Sequence, residues 1–281
     1  MHTDVLHLLA PAKLNLTLDV LGRRADGYHE LCSIMASIDL YDEISLAQAR
    51  EISLTWEGNM PAPRPEKNTA YLAARAFFAQ TGRACRIHIN KRIPGRAGLG
   101  GGSADAAAVL RGLQRLYGGV EDEVLFSLAR SIGADVPFCL LGGCALAEGI
   151  GEKLTPLPAP ELHVVLLKGR GGVSTPALFR SLTLPLPHPD TPAALAALSG
   201  PAEYLAPFLQ NALESPATSL LPEIGRLKAR LQAAGALAAF MTGSGACVAG
   251  LFPSESAARA ALPGFADVPF HTVCRTGAFA V

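Results

Sequence analysis

One segment constrains this chain more than any other: Pro94-Gly95-Arg96-Ala97-Gly98-Leu99-Gly100-Gly101-Gly102-Ser103-Ala104. Each glycine costs backbone entropy on folding, so such a run marks a place needing positive φ or close backbone approach. Before it, Cys85–Ile93 alternates apolar and polar residues, with Cys85, Ile87 and Ile89 on one face, the period of a half-buried strand. After it, Ser103–Tyr117 sets Val109, Leu110, Leu113 and Leu116 on one helical face, and Gly118-Gly119 stop the helix. A Gly-rich loop between strand and helix can curl its N–H groups around an anion. The helix terminus behind it adds roughly half a positive charge. Polyphosphate is the natural guest.

Two common phosphate loops do not fit. A Walker loop ends in Gly-Lys-Ser/Thr, and no lysine follows these glycines. A dinucleotide fingerprint needs a third glycine where Ser103 stands, and the alternating strand is unlike an apolar central parallel strand. The acidic cluster Glu121-Asp122-Glu123 opens a helix instead of ending a strand, so it is a poor ribose ligand.

Composition narrows the class. Net charge is +0 and no basic stripe is present, which argues against nucleic acid as a partner. The six cysteines form no Cys-x-x-Cys pair and read as buried free thiols of a reducing compartment. MHTDVLHLLAPAK lacks a basic segment before an apolar run, and Gly, Pro or charge breaks every apolar stretch short of a membrane span. A cytoplasmic protein without membrane contact is expected.

Strands are expected around residues 5–21, Glu43–Ala47, Glu51–Trp56, Leu162–Leu167, Ala236–Phe240, Cys247–Phe252 and Phe270–Arg275. Asp26-Gly27 marks a turn, and Gly58–Glu66 and Leu184–Pro192 read as loops. Helices are expected over Ala70–Gln80, capped by Asn68 and ended by Gly82, over Glu121–Ser131 with Gly133 beyond it, and over Pro222–Ala234. The fold class is α+β, and the prolines near residue 156 mark the domain boundary.

Three segments resemble the three motifs of the GHMP kinase superfamily: Ala10-Pro11-Ala12-Lys13-Leu14-Asn15-Leu16, the glycine loop with its helix, and Met241-Thr242-Gly243-Ser244-Gly245-Ala246-Cys247. Leu21–Leu31, with Asp26-Gly27-Tyr28-His29, and Ile132–Phe138 are similar to the branch that acts on a cytidine diphosphate-linked methylerythritol. The resemblance implies a two-domain fold. Residues 1–155 would form an N-terminal ATP-binding domain and 156–275 a ferredoxin-like C-terminal domain, with 276–281 returning to the first. It implies ATP and Mg²⁺ and a small-molecule acceptor, with homoserine- or mevalonate-class alcohols, or a non-catalytic regulator, as alternatives. Arg96 departs from the usual Pro-Met start of the loop and faces either a phosphate or solvent.

Individual residues then acquire roles. On the residues alone, Asp135 is either a general base or a plain cap before Pro137, and the resemblance implies the base. Lys13 shares a strand face with Asn15, and the resemblance implies that it stabilises charge beside Asp135, with Asn15 on the acceptor. Tyr28 and His29 suit a nucleobase by stacking and hydrogen bonding, and the resemblance assigns them the cytosine. Gly243 and Ser244 permit close approach of the ligands. Pro94 through Ala104 would hold ATP, with Asn68 and Thr69 near the adenine and the Ser103 hydroxyl the candidate Mg²⁺ ligand.

Overall fold

Period-two patterning in the first half of the chain and short apolar runs in the second build two sheets. The computed structural model describes residues 5–58, 63–183 and 191–281. The first half runs β1 (Leu6–Asn15), β2 (Thr17–Arg23), β3 (His29–Ala49), β4 (Ser53–Gly58), α1 (Thr69–Thr81), β5 (Ala84–Lys91), α2 (Gly101–Tyr117), α3 (Asp122–Ile132), α4 (Val136–Leu141), β6 (Cys144–Gly149) and β7 (Lys153–Leu157). The second half runs β8 (His163–Lys168), α5 (Thr175–Arg180), α6 (Thr191–Ala197), α7 (Ala202–Leu205), β9 (Gln210–Asn211), α8 (Glu214–Leu220), α9 (Glu223–Ala233), β10 (Ala238–Met241), β11 (Val248–Phe252), α10 (Glu255–Ala261) and β12 (Phe270–Arg275).

The long strand β3 is the spine of the first sheet and pairs antiparallel with β1, β2, β5 and β6. Sequence alone marks only its Glu43–Ala47 portion. Residues 33–38 are buried on both faces, so the period-two signal is missing there. Helix α2 lies against this sheet at close range: a Cβ on Gly112 would stand 2.4 Å from Leu46 Cδ1 and 2.6 Å from Leu8 Cδ1. Its alanines at 104 and 106–108 are buried as well, so the packed face is wider than the Val109–Leu116 stripe.

The second sheet is antiparallel, in the order β10-β11-β8-β12, which is the ferredoxin-like arrangement. Ile224, Leu227 and Leu231 of α9 are buried over it. Gly250 lets the helix down, since a Cβ there would lie 2.9 Å from Leu231 Cδ2.

Several expectations shift. Helix α2 begins at Gly101, ahead of Ser103, because Gly100 caps it at φ 70°. Gly133 follows α3 at φ 177°, an extended conformation open to any residue, so it is not a left-handed stop. Pro192 lies in the first turn of α6, where a missing N–H costs nothing, and the rest of the expected loop, 184–190, lies outside the described residues. Residues 59–62 of the Gly58–Glu66 loop also lie outside them. Strand β7 crosses the expected boundary near 156, and α6 and β9 reach back to the first sheet, where β9 pairs with β2. The chain beyond β12 returns to the first half not through a full strand but through an isolated Ile38–Thr276 bridge and separate hydrogen bonds, among them Gly143 N–H to Phe279 O at 2.9 Å.

Candidate active site

A cavity of about 850 Å³ opens where β1, the glycine loop, the start of α4 and the β10–β11 turn converge. Its wall includes Pro94, Gly95, Arg96, Ala97, Gly98, Leu99, Gly100, Gly101, Gly102 and Ser103, together with Lys13, Asn15, Asp135, Gly243 and Ser244. Asn68 and Thr69 line it too. Ala104 does not; it is fully buried against the core.

Strand geometry puts Lys13 and Asn15 on one face, and the pair is joined: Lys13 Nζ donates to Asn15 Oδ1 at 2.5 Å. The same ammonium lies 3.5 Å from Asp135 Oδ2. Lys13 is only 3% exposed, so its charge depends on these oxygens, whereas the Asp135 side chain is 38% exposed and open to a ligand. Asn15 Nδ2 donates to Ser33 Oγ at 2.7 Å, and Ser33 donates to Thr17 O at 2.5 Å. Asn15 N–H donates to Thr242 Oγ1 at 2.9 Å, which ties the first motif to the third. The Asp135 backbone carbonyl accepts Cys139 N–H at 3.1 Å, but its side chain accepts no N–H of α4, so the carboxylate is not spent as a cap.

The glycine loop is braced by the third motif. Ala246 N–H and Cys247 N–H donate to Arg96 O and Ala97 O, both at 3.1 Å. Gly98 stands at φ 75°, and a Cβ there would lie 2.1 Å from Thr242 O. Gly243 faces it at φ 55°, with room for no more than hydrogen against Gly98 O. Asn211 fixes this turn by donating to Met241 O and Gly243 O, both at 2.8 Å. Thr175 and Ser244 share a hydroxyl hydrogen bond of 2.5 Å at the rim. Arg96 is the one non-glycine at positive φ among the described residues, at 51°, and its side chain is exposed.

A second cavity of about 680 Å³ adjoins the first and shares Leu31, Ala134, Ile150, Thr175, Pro176 and Phe179 with it. Tyr28 and His29 line it. The turn before them is held by Arg24 N–H to Tyr28 O at 2.8 Å and Tyr28 N–H to Asp26 Oδ1 at 3.0 Å. Tyr28 is left 61% exposed. His29 packs on Phe179 of α5, with ring centroids 5.0 Å apart. Burial, helped by the Arg23 charge, lowers the His29 pKa, so its ring is neutral near pH 7 and offers one donor and one acceptor. Sequence reasoning missed Phe179, which stands among few landmarks, and also Ser33, Thr175 and Asn211. No local motif marks them.

Among the described residues no group of three or more His, Cys, Asp or Glu gathers for a metal, and no helix is long and apolar enough to cross a membrane. Burial raises the thiol of Cys247, the last residue of the third motif, to about 12, which disfavours the reactive thiolate.

The comparisons with known proteins agree with this geometry. Residues 68–143 match the profile of the GHMP kinases N terminal domain and 193–267 that of the GHMP kinases C terminal. The 4-diphosphocytidyl-2-C-methyl-D-erythritol kinase of Caldicellulosiruptor saccharolyticus is 45% identical over 258 residues, 88% of each chain. A crystal structure of 4-(cytidine 5'-diphospho)-2C-methyl-D-erythritol kinase superposes with a TM-score of 0.84 at 39% identity, over 97% of this chain and 99% of that one. Homoserine kinase from Cytophaga hutchinsonii, at 21% identity and TM-score 0.76 over 99% and 96% of the two chains, shares the fold.

Proposed function

The chain belongs to the 4-diphosphocytidyl-2-C-methyl-D-erythritol kinase family of the GHMP kinases, and from that premise we propose that it transfers the γ-phosphoryl group of ATP to the 2-hydroxyl of 4-diphosphocytidyl-2-C-methyl-D-erythritol, with Asp135 as base. The observation that carries the roles is the Lys13–Asp135 pair, 3.5 Å apart on the wall of the glycine-loop cavity and next to Ala134, which the Tyr28–His29 cavity shares.

Phosphoryl transfer asks a protein for position and charge. Asp135 accepts the proton of the acceptor hydroxyl as that oxygen attacks the γ-phosphorus and the bond to ADP breaks. Lys13, pinned by Asn15, sets a buried positive charge beside the developing negative charge. The N–H groups of Gly98–Ser103 and the start of α2 hold the phosphates. Tyr28, His29 and Phe179 hold the cytosine between an exposed ring and a neutral imidazole. Gly243 and Ser244 close over the ligands. Ser103, a hard oxygen donor on the cavity wall, would hold Mg²⁺, which neutralises phosphate charge when bound. We place the enzyme in the cytoplasm, where ATP and reduced thiols are found.

The test combines protein, ATP, Mg²⁺ and 4-diphosphocytidyl-2-C-methyl-D-erythritol, and follows ADP release and the phosphorus spectrum. One new phosphomonoester is expected. Asp135→Asn is expected to lower kcat about 10²–10⁴-fold. ADP release with homoserine or mevalonate, and none with this acceptor, would remove the substrate assignment and leave the fold standing.

A further inference from the structure

Beneath the glycine loop lies a charged cluster to which the roles above assign nothing, although Lys91 and Asp105 reach the wall of the cavity. Asp42 of β3 is fully buried and Asp105 of α2 is 2% exposed. Lys91, the last residue of β5, reaches both: it pairs with Asp42 Oδ2, and its Nζ stands 2.8 Å from Asp105 Oδ2. Asp42 Oδ1 accepts two further N–H groups, from Arg92 at 2.6 Å and Ile93 at 2.9 Å. Those are the residues through which the chain enters the loop. Asp105 sits in the helix by which the chain leaves it. A Cβ on Gly101 would lie 3.2 Å from Lys91 Nζ, so the ammonium sits directly under the loop's exit.

A loop this rich in glycine has many conformations available, and its phosphate-binding N–H groups work only if one is selected. Bonds to the third motif hold its middle, at Arg96 O and Ala97 O. They do not join its two ends. The Lys91 ammonium does, through one carboxylate on each side, in a place where a buried ion pair is costly unless its geometry is satisfied. We infer that Asp42 and Asp105 are positioning residues that fix the nucleotide loop by holding Lys91 between its entrance and its exit.

The cluster carries two carboxylates for one ammonium, and Asp105 Oδ1 is buried without a hydrogen-bond partner. Burial raises the Asp105 carboxyl to about 8; Lys91 pulls it down, and the nearby Asp42 carboxylate adds to the rise.

The inference rests on reading the glycine loop as the ATP site, and direct binding separates the two. Titration calorimetry with Mg·ADP would be run on wild type and three variants, with steady-state kinetics and circular dichroism beside it. Asp105→Ala cuts the exit anchor and is expected to weaken Mg·ADP binding and raise KM for ATP roughly tenfold, with kcat and the acceptor KM within about twofold. Asp105→Asn still offers Lys91 an amide oxygen and turns its NH₂ toward Asp42, so it is expected to restore binding to within about threefold. Asp42→Asn keeps an oxygen for the two backbone N–H groups but presents NH₂ to Lys91, so it is expected to behave like Asp105→Ala. It serves as the second probe if Asp105→Ala does not fold. Nucleotide affinity unchanged in folded Asp42→Asn, or lost equally in Asp105→Asn and Asp105→Ala, would overturn the inference. Wild type that bound Mg·ADP but phosphorylated no alcohol would overturn the proposed function and leave the clamp intact.

Discussion

The nucleotide end and the base end of the cleft are built on opposite plans. At the nucleotide end the recognising atoms are backbone N–H groups, held by buried hydrogen bonds and by glycines that accept no side chain. At the base end they are side chains from separate segments: Tyr28 and His29 from the turn between β2 and β3, Phe179 from α5. Tyr28 is 61% exposed, whereas Leu99 in the loop is 1% exposed. Under the proposed function, phosphate, common to many ligands, would be met by a rigid backbone cradle, and the cytosine, particular to one substrate, by exchangeable side chains.

The difference can be tested by one substitution in the glycine loop and one in the wall that the two cavities share. Gly98→Ala should have the largest effect, because it combines a φ of 75° with a Cβ 2.1 Å from Thr242 O. Left-handed strain and the clash together should cost at least ~2 kcal/mol. Differential scanning calorimetry would show the lowered Tm, and ATP affinity should fall while the isolated acceptor still binds. If Gly98→Ala were neutral, the cradle would not be rigid. At the other end, Phe179→Ala removes a ring without disturbing a backbone, and it should raise the acceptor KM roughly tenfold, in line with base stacking at about 1–3 kcal/mol. The KM for ATP should change less than the acceptor KM. A matching rise in both KM values would mean that the two ends are coupled.

The last expected effect is on stability as a function of pH. The Asp105 carboxyl rises on folding from its ordinary 3.8 to about 8, chiefly through burial. The folded state therefore holds a proton that the unfolded chain releases. That contribution is complete below the ordinary value and is lost as pH climbs through about 8. Tm measured from pH 5 to pH 9 should fall further in wild type than in Asp105→Asn, with most of the extra fall below pH 8. Parallel curves would mean that Asp105 is already charged at neutral pH.

The same contrast explains what could be read from the sequence. A backbone cradle writes itself as glycines between a strand and a helix, and the whole of Pro94–Ser103 was visible for that reason. Only Ala104 was assigned to the cavity and lies off it, because helical rotation turns it into the core. Lys13 and Asn15 were legible together because a strand places i and i+2 on one face. Phe179 was not, since it is one aromatic in a helix of six residues with no period to mark it. The Asp42–Lys91–Asp105 cluster was equally hidden: its members lie 49 and 14 residues apart in the chain and meet only in the packed sheet. The doubly covered middle of β3 escaped notice because alternation is a record of having one wet face.

The return of the chain to its first sheet has a consequence for biosynthesis. Ser37 O accepts Gly277 N–H at 3.2 Å, Gly143 N–H reaches Phe279 O, and Arg115 Nη2 donates to Val281 O at 2.8 Å. Thr191 of α6 likewise bonds Asp19 Oδ2 at 2.7 Å. On the ribosome the amino-terminal half emerges first, yet its sheet stays unfinished until these later residues appear. The two halves therefore mature together, and the nascent chain holds an incomplete sheet edge through most of its synthesis.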